Sequence, residues 1–300
     1  MNGSSESATT SFQAERRRQR LLWFLLCFGP PFLYLLVFML LPYANILLYS
    51  FWKVENYAIV HDLNIDNYLK FFENPLYTRV LWNSLFVATV VTTCAILVGY
   101  PLAFFLAFVA GKHRRLLYFL VIAPLWTSFL LRAFIWKLIL GREGMINGLL
   151  QYVGLTDEPI SLFLYNQFSV CLTLTYIFIP FVTLPVFTAL EKIPRGYIEA
   201  SMDLGGNGLQ TFRRIILPLS IPGLVAGGIF TFALSFGDFV TPTLLGGPSS
   251  IMISNVVMGQ FGAAFDWPFG SAIVVIVIGV ILSAVILASL AERRSSAPVV

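Results

Sequence analysis

Glu199 and Asp203 stand four residues apart in a short polar stretch between two apolar segments. On a helix they share one face, where like charges cost roughly 0.2–0.5 kcal/mol in isolation. No histidine lies nearby in sequence and Ser201 between them forms no convincing nucleophile–base pair, so the two acids suit recognition of a basic partner better than general acid–base work. Two other ionisable residues, Arg132 and Asp238, fall inside or at the edge of apolar segments. Such groups cost a few kcal/mol at membrane depth unless they pair or face water. The two pairing with each other, or lining a polar path, are both open readings. His61 and His113 are the only histidines, and Cys27, Cys94 and Cys171 all lie in apolar runs as expected buried small hydrophobes. Metal chemistry, a histidine proton relay and a disulfide framework have little to work with. No Gly-x-x-x-x-Gly-Lys-Ser/Thr loop is present, so nucleotide hydrolysis is not expected in this chain.

The elements that must position these residues cross a membrane. Of 300 residues, 58% are hydrophobic and only 11% charged, with a mean hydropathy of +0.82, against about 25% charged in soluble domains. Segments of about 20 apolar residues span a bilayer. Six qualify: about 22–50, 82–110, 116–140, 168–190, 215–240 and 269–291. Gly29-Pro30-Pro31 interrupts the first, placing its crossing part at about 30–50 with 21–28 as an interfacial lead-in. The run is too long for a cleaved leader and lacks a small-x-small site, so it reads as an uncleaved anchor. Residues 1–20 are expected as a tail, unstructured over its Ser/Thr-rich first 14 residues. The first span covers 21–52, a five-span core covers 80–292, and 293–300 form a second tail.

Lys/Arg bias sets the orientation. With the N-terminus inside, the cytoplasmic segments collect Arg16, Arg17, Arg18, Arg20, Lys112, Arg114, Arg115, Lys192, Arg195, Arg213, Arg214, Arg293 and Arg294. The outer segments carry Glu55, Asp62, Asp66, Glu73, Glu143, Asp157, Glu158 and Asp266 against Lys53, Lys70, Arg79, Lys137 and Arg142, a net of −3. Both termini are then cytoplasmic. The +4 overall reflects topology and gives no reason to expect nucleic acid. The long outer loops suit interfacial helices, residues 67–72 being one candidate.

The polar stretch at 191–214 is cytoplasmic in this orientation. Pro194 suits a helix start, a helix from about 195 ends near Gly205-Gly206, and Asn207-Gly208 supports a sharp turn. A second helix from Leu209 runs into the fifth span. Tyr197, Ser201 and Leu204 form a less polar stripe beside the acidic face, as expected of a docking surface. An amphipathic connector on the bilayer is disfavoured, because acidic residues would face anionic headgroups.

Glu199-Ala200-Ser201, three residues, Gly205, nine residues, then Ile215-Ile216-Leu217-Pro218 matches the spacing of the Glu-Ala-Ala signature of ATP-binding-cassette importer permeases. The chain resembles that family, with Ser201 replacing the second Ala. The resemblance implies a six-helix, all-α type I importer permease fold and makes residues 195–206 the coupling helix, with Glu199, Ala200, Ser201, Asp203 and Gly205 against the ATPase. It also implies partners: a second homologous permease, a homodimeric ATPase that binds ATP and Mg, an extracytoplasmic binding protein, and membrane lipid. No cofactor is expected in this chain.

Over residues 80–292 the chain further resembles the spermidine/putrescine permeases. Asn83-Ser84-Leu85, Gly99-Tyr100-Pro101-Leu102-Ala103, Pro124 to Arg132, Gly141 to Gly144, Phe236 to Pro242, Leu244 to Gly247 and Asp266-Trp267-Pro268 carry that likeness. A polyamine is the expected solute, with another small cation, an amino-acid-like solute or an opine as alternatives. Candidate path residues are Trp126 (an aromatic face for a cation), Ser128, Arg132 and Asp238. An ion-coupled carrier would need buried carboxylates or repeated broken helices, and an embedded enzyme would need a catalytic cluster; the sequence offers neither.

Overall fold

The computed structural model describes residues 3–55, 58–160, 163 and 165–295, with the side chains of 3–18, 21 and 293–295 outside the description. In chain order it contains α1 (Gly3–Tyr49), β1 (Lys53–Glu55), β2 (Ala58–Val60), α2 (Asp66–Glu73) and α3 (Pro75–Phe104). A π-helical turn and a 3-10 turn lead from α3 to α4 (Arg114–Ile122), followed by a 3-10 turn (Ala123–Trp126), α5 (Phe129–Leu140) and α6 (Met145–Tyr152). Then come α7 (Gln167–Glu191), α8 (Arg195–Asp203), α9 (Gly208–Thr211), a π-helical turn (Phe212–Ile216) and α10 (Leu217–Phe236). Last are α11 (Val240–Leu245), α12 (Ile253–Phe261) and α13 (Trp267–Ser295).

Five helical segments among the described residues are long and apolar enough to cross a bilayer, and a bent pair meets the same test when its two helices are taken as one span. α3, α7 and α10 form the centre, each in contact with the other two. Gly223 and Gly227 bring α10 onto α7: an added Cβ would lie 2.5 Å from the Pro185 carbonyl at Gly223 and 2.9 Å from Val182 Cα at Gly227. This small-residue face is therefore spent on packing within the chain. The corresponding Gly279 on α13 faces open space. α7 runs unbroken through Pro180 and Pro185, although each proline deprives the carbonyl four residues earlier of its donor.

Three expectations change. The third span is not a single helix: the segments Gly111–Trp126 and Phe129–Tyr152 meet at 96°. Pro124 sits in the 3-10 turn, and Thr127 and Ser128 adopt extended ψ values of 148° and 139°, which ends one helix and starts the next. At 1.5 Å per residue neither α4 nor α5 covers the roughly 30 Å hydrocarbon core alone. The first span also differs: α1 is continuous through Pro30, Pro31 and Pro42 and begins at Gly3. Proline's fixed φ is compatible with a helix, and the segment before Leu22 extends an existing helix, so it carries no separate nucleation cost. Residues 1–2 and 296–300 of the expected tails lie outside the described residues. Finally, Cys27 is exposed on α1, whose apolar window has no buried residues. α1 touches mainly α13 and leaves its apolar surface outward.

The segments expected outside hold more structure than interfacial helices. The expected helix at 67–72 is α2, and β1 and β2 add a short antiparallel hairpin with Val54 opposite Ile59. The buried Asn67 donates to the carbonyls of Ser50 (3.0 Å) and Trp52 (2.7 Å), tying this ledge to the end of α1. Lys70 reaches Asp266 at 3.3 Å, which joins it to α13.

Candidate functional site: the polar hairpin between α7 and α10

Each arm of the hairpin has its own local cause. Pro194, with φ −61° and ψ 132°, sits at the cap position, one residue earlier than a first-turn proline. Its carbonyl accepts from Tyr197 N at 3.1 Å and starts α8. At the other end Gly206 N donates to the Ser201 carbonyl and Gly205 N to the Met202 carbonyl, both at 2.9 Å. This is a Schellman cap, and it requires the left-handed φ of +81° found at Gly205. Asn207 then opens α9 through a reciprocal capping box: its Oδ1 accepts from Gln210 N (2.8 Å), and Gln210 Oε1 accepts from Asn207 N (3.0 Å). Pro218 lacks the N–H that would bond to the Arg214 carbonyl, and the preceding turn widens into the π-helical stretch Phe212–Ile216.

Apolar and polar contacts anchor both arms to the core. Ile198 from α8 and Phe212 and Ile216 from the second arm join one apolar cluster with Tyr100, Phe104 and Leu190, Phe212 meeting the Tyr100 and Phe104 rings edge to face. Tyr100 Oη meets Ser220 Oγ at 2.9 Å, joining α3 to the start of α10. Ser201 Oγ lies 2.9 Å from Thr211 Oγ1, and Thr211, fully buried, also donates to the Asn207 carbonyl at 3.1 Å. Ser201, Thr211, Asn207 and Gln210 therefore fix the two arms relative to each other.

The hairpin's outward surface is unpartnered. Glu199 and Asp203 are exposed, and among the described residues neither carboxylate has an ion-pair or hydrogen-bond partner. The less polar stripe of Tyr197, Ala200, Ser201 and Leu204 borders a groove of about 780 Å³ whose far side is Arg214, Ile215 and Pro218. Leu204 at the end of the stripe is 89% exposed. A rigid helix with free carboxylates and apolar residues beside them can dock a partner carrying basic and apolar groups. It has no group arranged for bond-making.

Just before the hairpin, Glu191 at the end of α7 pairs with Arg114, the first residue of α4. The Arg114 guanidinium lies 4.7 Å from the Phe187 ring centre, and Tyr118 contacts the same ring at 5.1 Å. α4 has no fully buried residue, so these contacts are prominent among those that hold it.

The four candidate path residues separate into two pairs. Trp126 is 71% exposed and touches Phe119 edge to face at 5.0 Å; Ser128 is exposed beside it at the elbow. Arg132, 8% exposed, points into the protein and donates to the Ile177 carbonyl at 3.4 Å, with Nε unpartnered. Asp238, 7% exposed, accepts from Val240 N (3.2 Å) and Thr241 N (3.0 Å) and so caps α11. Among the described residues no ion pair joins Arg132 to Asp238. The sequence reading placed Gly206 at the helix end but missed Thr211 and the Glu191–Arg114 link. The Asn207-x-x-Gln210 spacing was visible as a capping box, whereas the other contacts join residues distant in sequence.

This arrangement defines a multi-pass membrane protein with an exposed acidic hairpin at one end. Residues 99–296 match the family model described as the binding-protein-dependent transport system inner membrane component, and the chain belongs to that family. The spermidine/putrescine transport system permease protein PotB of Haemophilus influenzae is 38% identical over 245 residues, covering 81% of this chain and 84% of that protein. The inner membrane ABC transporter permease protein YdcU of Escherichia coli is 35% identical, covering 83% of each chain. Among solved structures, a bacterial ABC transporter that imports the acidic polysaccharide alginate superposes with a TM-score of 0.69 at 18% identity, over 95% of this chain and 99% of that one. The MetNI methionine ABC transporter gives 0.57 at 18% identity, over 73% and 96%. The fold is thus that of the type I importer permeases, and the chain is a transport subunit of the inner membrane. It is not an enzyme; it works with a binding protein and a separate ATPase.

Proposed function

We propose that this chain forms half of the membrane pathway of an importer for a small polyamine such as spermidine or putrescine. The observation that carries the mechanism is the hairpin: α8, locked by its Schellman cap and by Ser201–Thr211, presents the unpaired Glu199 and Asp203 outward. We read α8 with its cap residue Gly205 as the coupling helix, seated on one subunit of a homodimeric ATPase that binds ATP and Mg. The surface contributing to this contact includes Glu199, Ala200, Ser201, Asp203 and Gly205. A second homologous permease supplies the other half of the path, and both termini lie in the cytoplasm, in keeping with the Lys/Arg distribution. ATP binding draws the two coupling helices together and turns the cavity outward to receive solute from the binding protein. Hydrolysis resets it.

The polyamine assignment draws on identity to the PotB proteins, 38% over about four fifths of the chain. Trp126 and Ser128, exposed at the elbow, are proposed to face the path, Trp126 by cation–π contact. Arg132 and Asp238 lie one layer behind it, Arg132 against the Ile177 carbonyl of α7 and Asp238 on the amides at the start of α11. The test is uptake of labelled spermidine and putrescine by cells carrying the full transporter, with ligand binding by the cognate binding protein measured in parallel. ATP-dependent accumulation of either polyamine is expected. A binding protein that ignores both would refute the substrate assignment.

A further inference from the structure

The end of the molecule away from the hairpin carries a recess of about 560 Å³ where the starts of α3 and α7 meet the turn before α12. Its walls include Arg79, Asn83, Gln167, Ser249 and Ile251. Asn83 lies about 25 Å along α3 from Tyr100, the residue that anchors the hairpin.

The recess is built without an occupant. Gln167 Nε2 donates to Asn83 Oδ1 at 2.8 Å, and Asn83 Nδ2 donates to the Ile251 carbonyl at 3.0 Å. One residue along α3, Ser84 Oγ accepts from Ile253 N at 2.7 Å. The turn is fixed at its other end by close backbone approach: a Cβ at Gly247 would fall 2.2 Å from the Tyr165 carbonyl oxygen. Asn83-Ser84 and Gly246-Gly247, two of the sequence motifs with no part in the hairpin, thus converge on this one place.

The electrostatics of the recess select its occupant. The asparagine and glutamine amides bond to the wall itself, whereas Arg79 is exposed and has no ion pair among the described residues. The outer segments are otherwise acidic, eight carboxylates against five bases by sequence. An acidic group from outside is therefore repelled over much of this face and attracted at Arg79. A cationic solute has the opposite preference, so the recess does not suit the proposed cargo.

We propose that this recess receives a carboxylate side chain of the binding protein, held by the planar fork of Arg79, which can engage both carboxylate oxygens. The proposal rests on the orientation given above, with this end facing outward.

The experiment uses the assembled transporter in liposomes, with its cognate binding protein titrated while ATP hydrolysis is followed. Arg79→Glu should raise the half-saturating concentration of binding protein about tenfold or more at low salt. Basal hydrolysis and co-purification of the ATPase should be unchanged, and the difference should shrink as salt screens the pair. Arg79→Lys should fall between the two. A half-saturating concentration within about twofold of wild type for Arg79→Glu would overturn the proposal, as would a defect seen only at saturating binding protein. Failure of the wild-type complex to respond to the binding protein at all would instead refute the transporter reading.

Discussion

Ser201 and Thr211 meet hydroxyl to hydroxyl at 2.9 Å, joining the two arms of the polar hairpin through a residue that departs from the family's Ala. The serine thus has a second use beyond being small. Ser201→Ala removes one hydrogen bond, while Thr211 keeps its bond to the Asn207 carbonyl. The expected cost is about 1 kcal/mol. Thermal unfolding of the purified complex should show a small shift with ATPase association retained. Thr211→Val removes both bonds at a buried site and should cost more.

Gly205 and Gly206 serve the same cap for different reasons. Gly205 needs its φ of +81°, and its missing Cβ would face open space. Gly205→Ala should therefore cost only the backbone strain, about 1–2 kcal/mol. A Cβ at Gly206 would lie 2.7 Å from the Ser201 carbonyl oxygen and 2.8 Å from its Oγ, so Gly206→Ala must shift the cap itself. The expected order of loss in uptake, measured at equal membrane abundance, is Gly206→Ala at least as severe as Gly205→Ala.

The Arg114–Glu191 pair connects the segment just before α8 to the base of the broken third span. As a partly exposed pair it contributes little to stability, on the order of 1 kcal/mol or less. Its expected role is mechanical, moving α4 with the hairpin. Arg114→Glu and Glu191→Arg should each lower uptake per ATP hydrolysed, and the double exchange should restore it. A double exchange no better than the single variants would show that the pair does not carry the motion.

Arg132 and Asp238 predict opposite responses. Arg132 is a buried cation with an unpartnered Nε, so Arg132→Met should leave assembly intact or improve it. Asp238→Asn loses one of two acceptors at the start of α11 and should cost about 1–3 kcal/mol. Uptake assays and unfolding curves on both variants separate the roles. Unchanged uptake and unchanged stability for Asp238→Asn would remove Asp238 from the account.

Much of the hairpin was legible in the sequence because its determinants are local: Pro194, Gly205, Asn207 and Pro218 each act within a few residues. The apolar spans were legible for the same reason, since bilayer thickness sets their length. The third span was not, because a mainly apolar stretch of 25 residues reads alike whether straight or folded back at Thr127–Ser128. Nor was the separation of Arg132 from Asp238, which depends on the Ile177 carbonyl and the amides of α11. The Arg79 recess was equally invisible, its walls being joined by the Asn83–Ile251 bond between residues 168 apart in the chain.

The central claim is that the hairpin seats the ATPase. Its most direct test is co-purification of the ATPase with this permease carrying Glu199→Arg and Gly205→Ala together, alongside an assay of membrane insertion. The account predicts normal insertion, loss of the ATPase from the complex and loss of uptake. Normal ATPase association with the doubly substituted permease would contradict it.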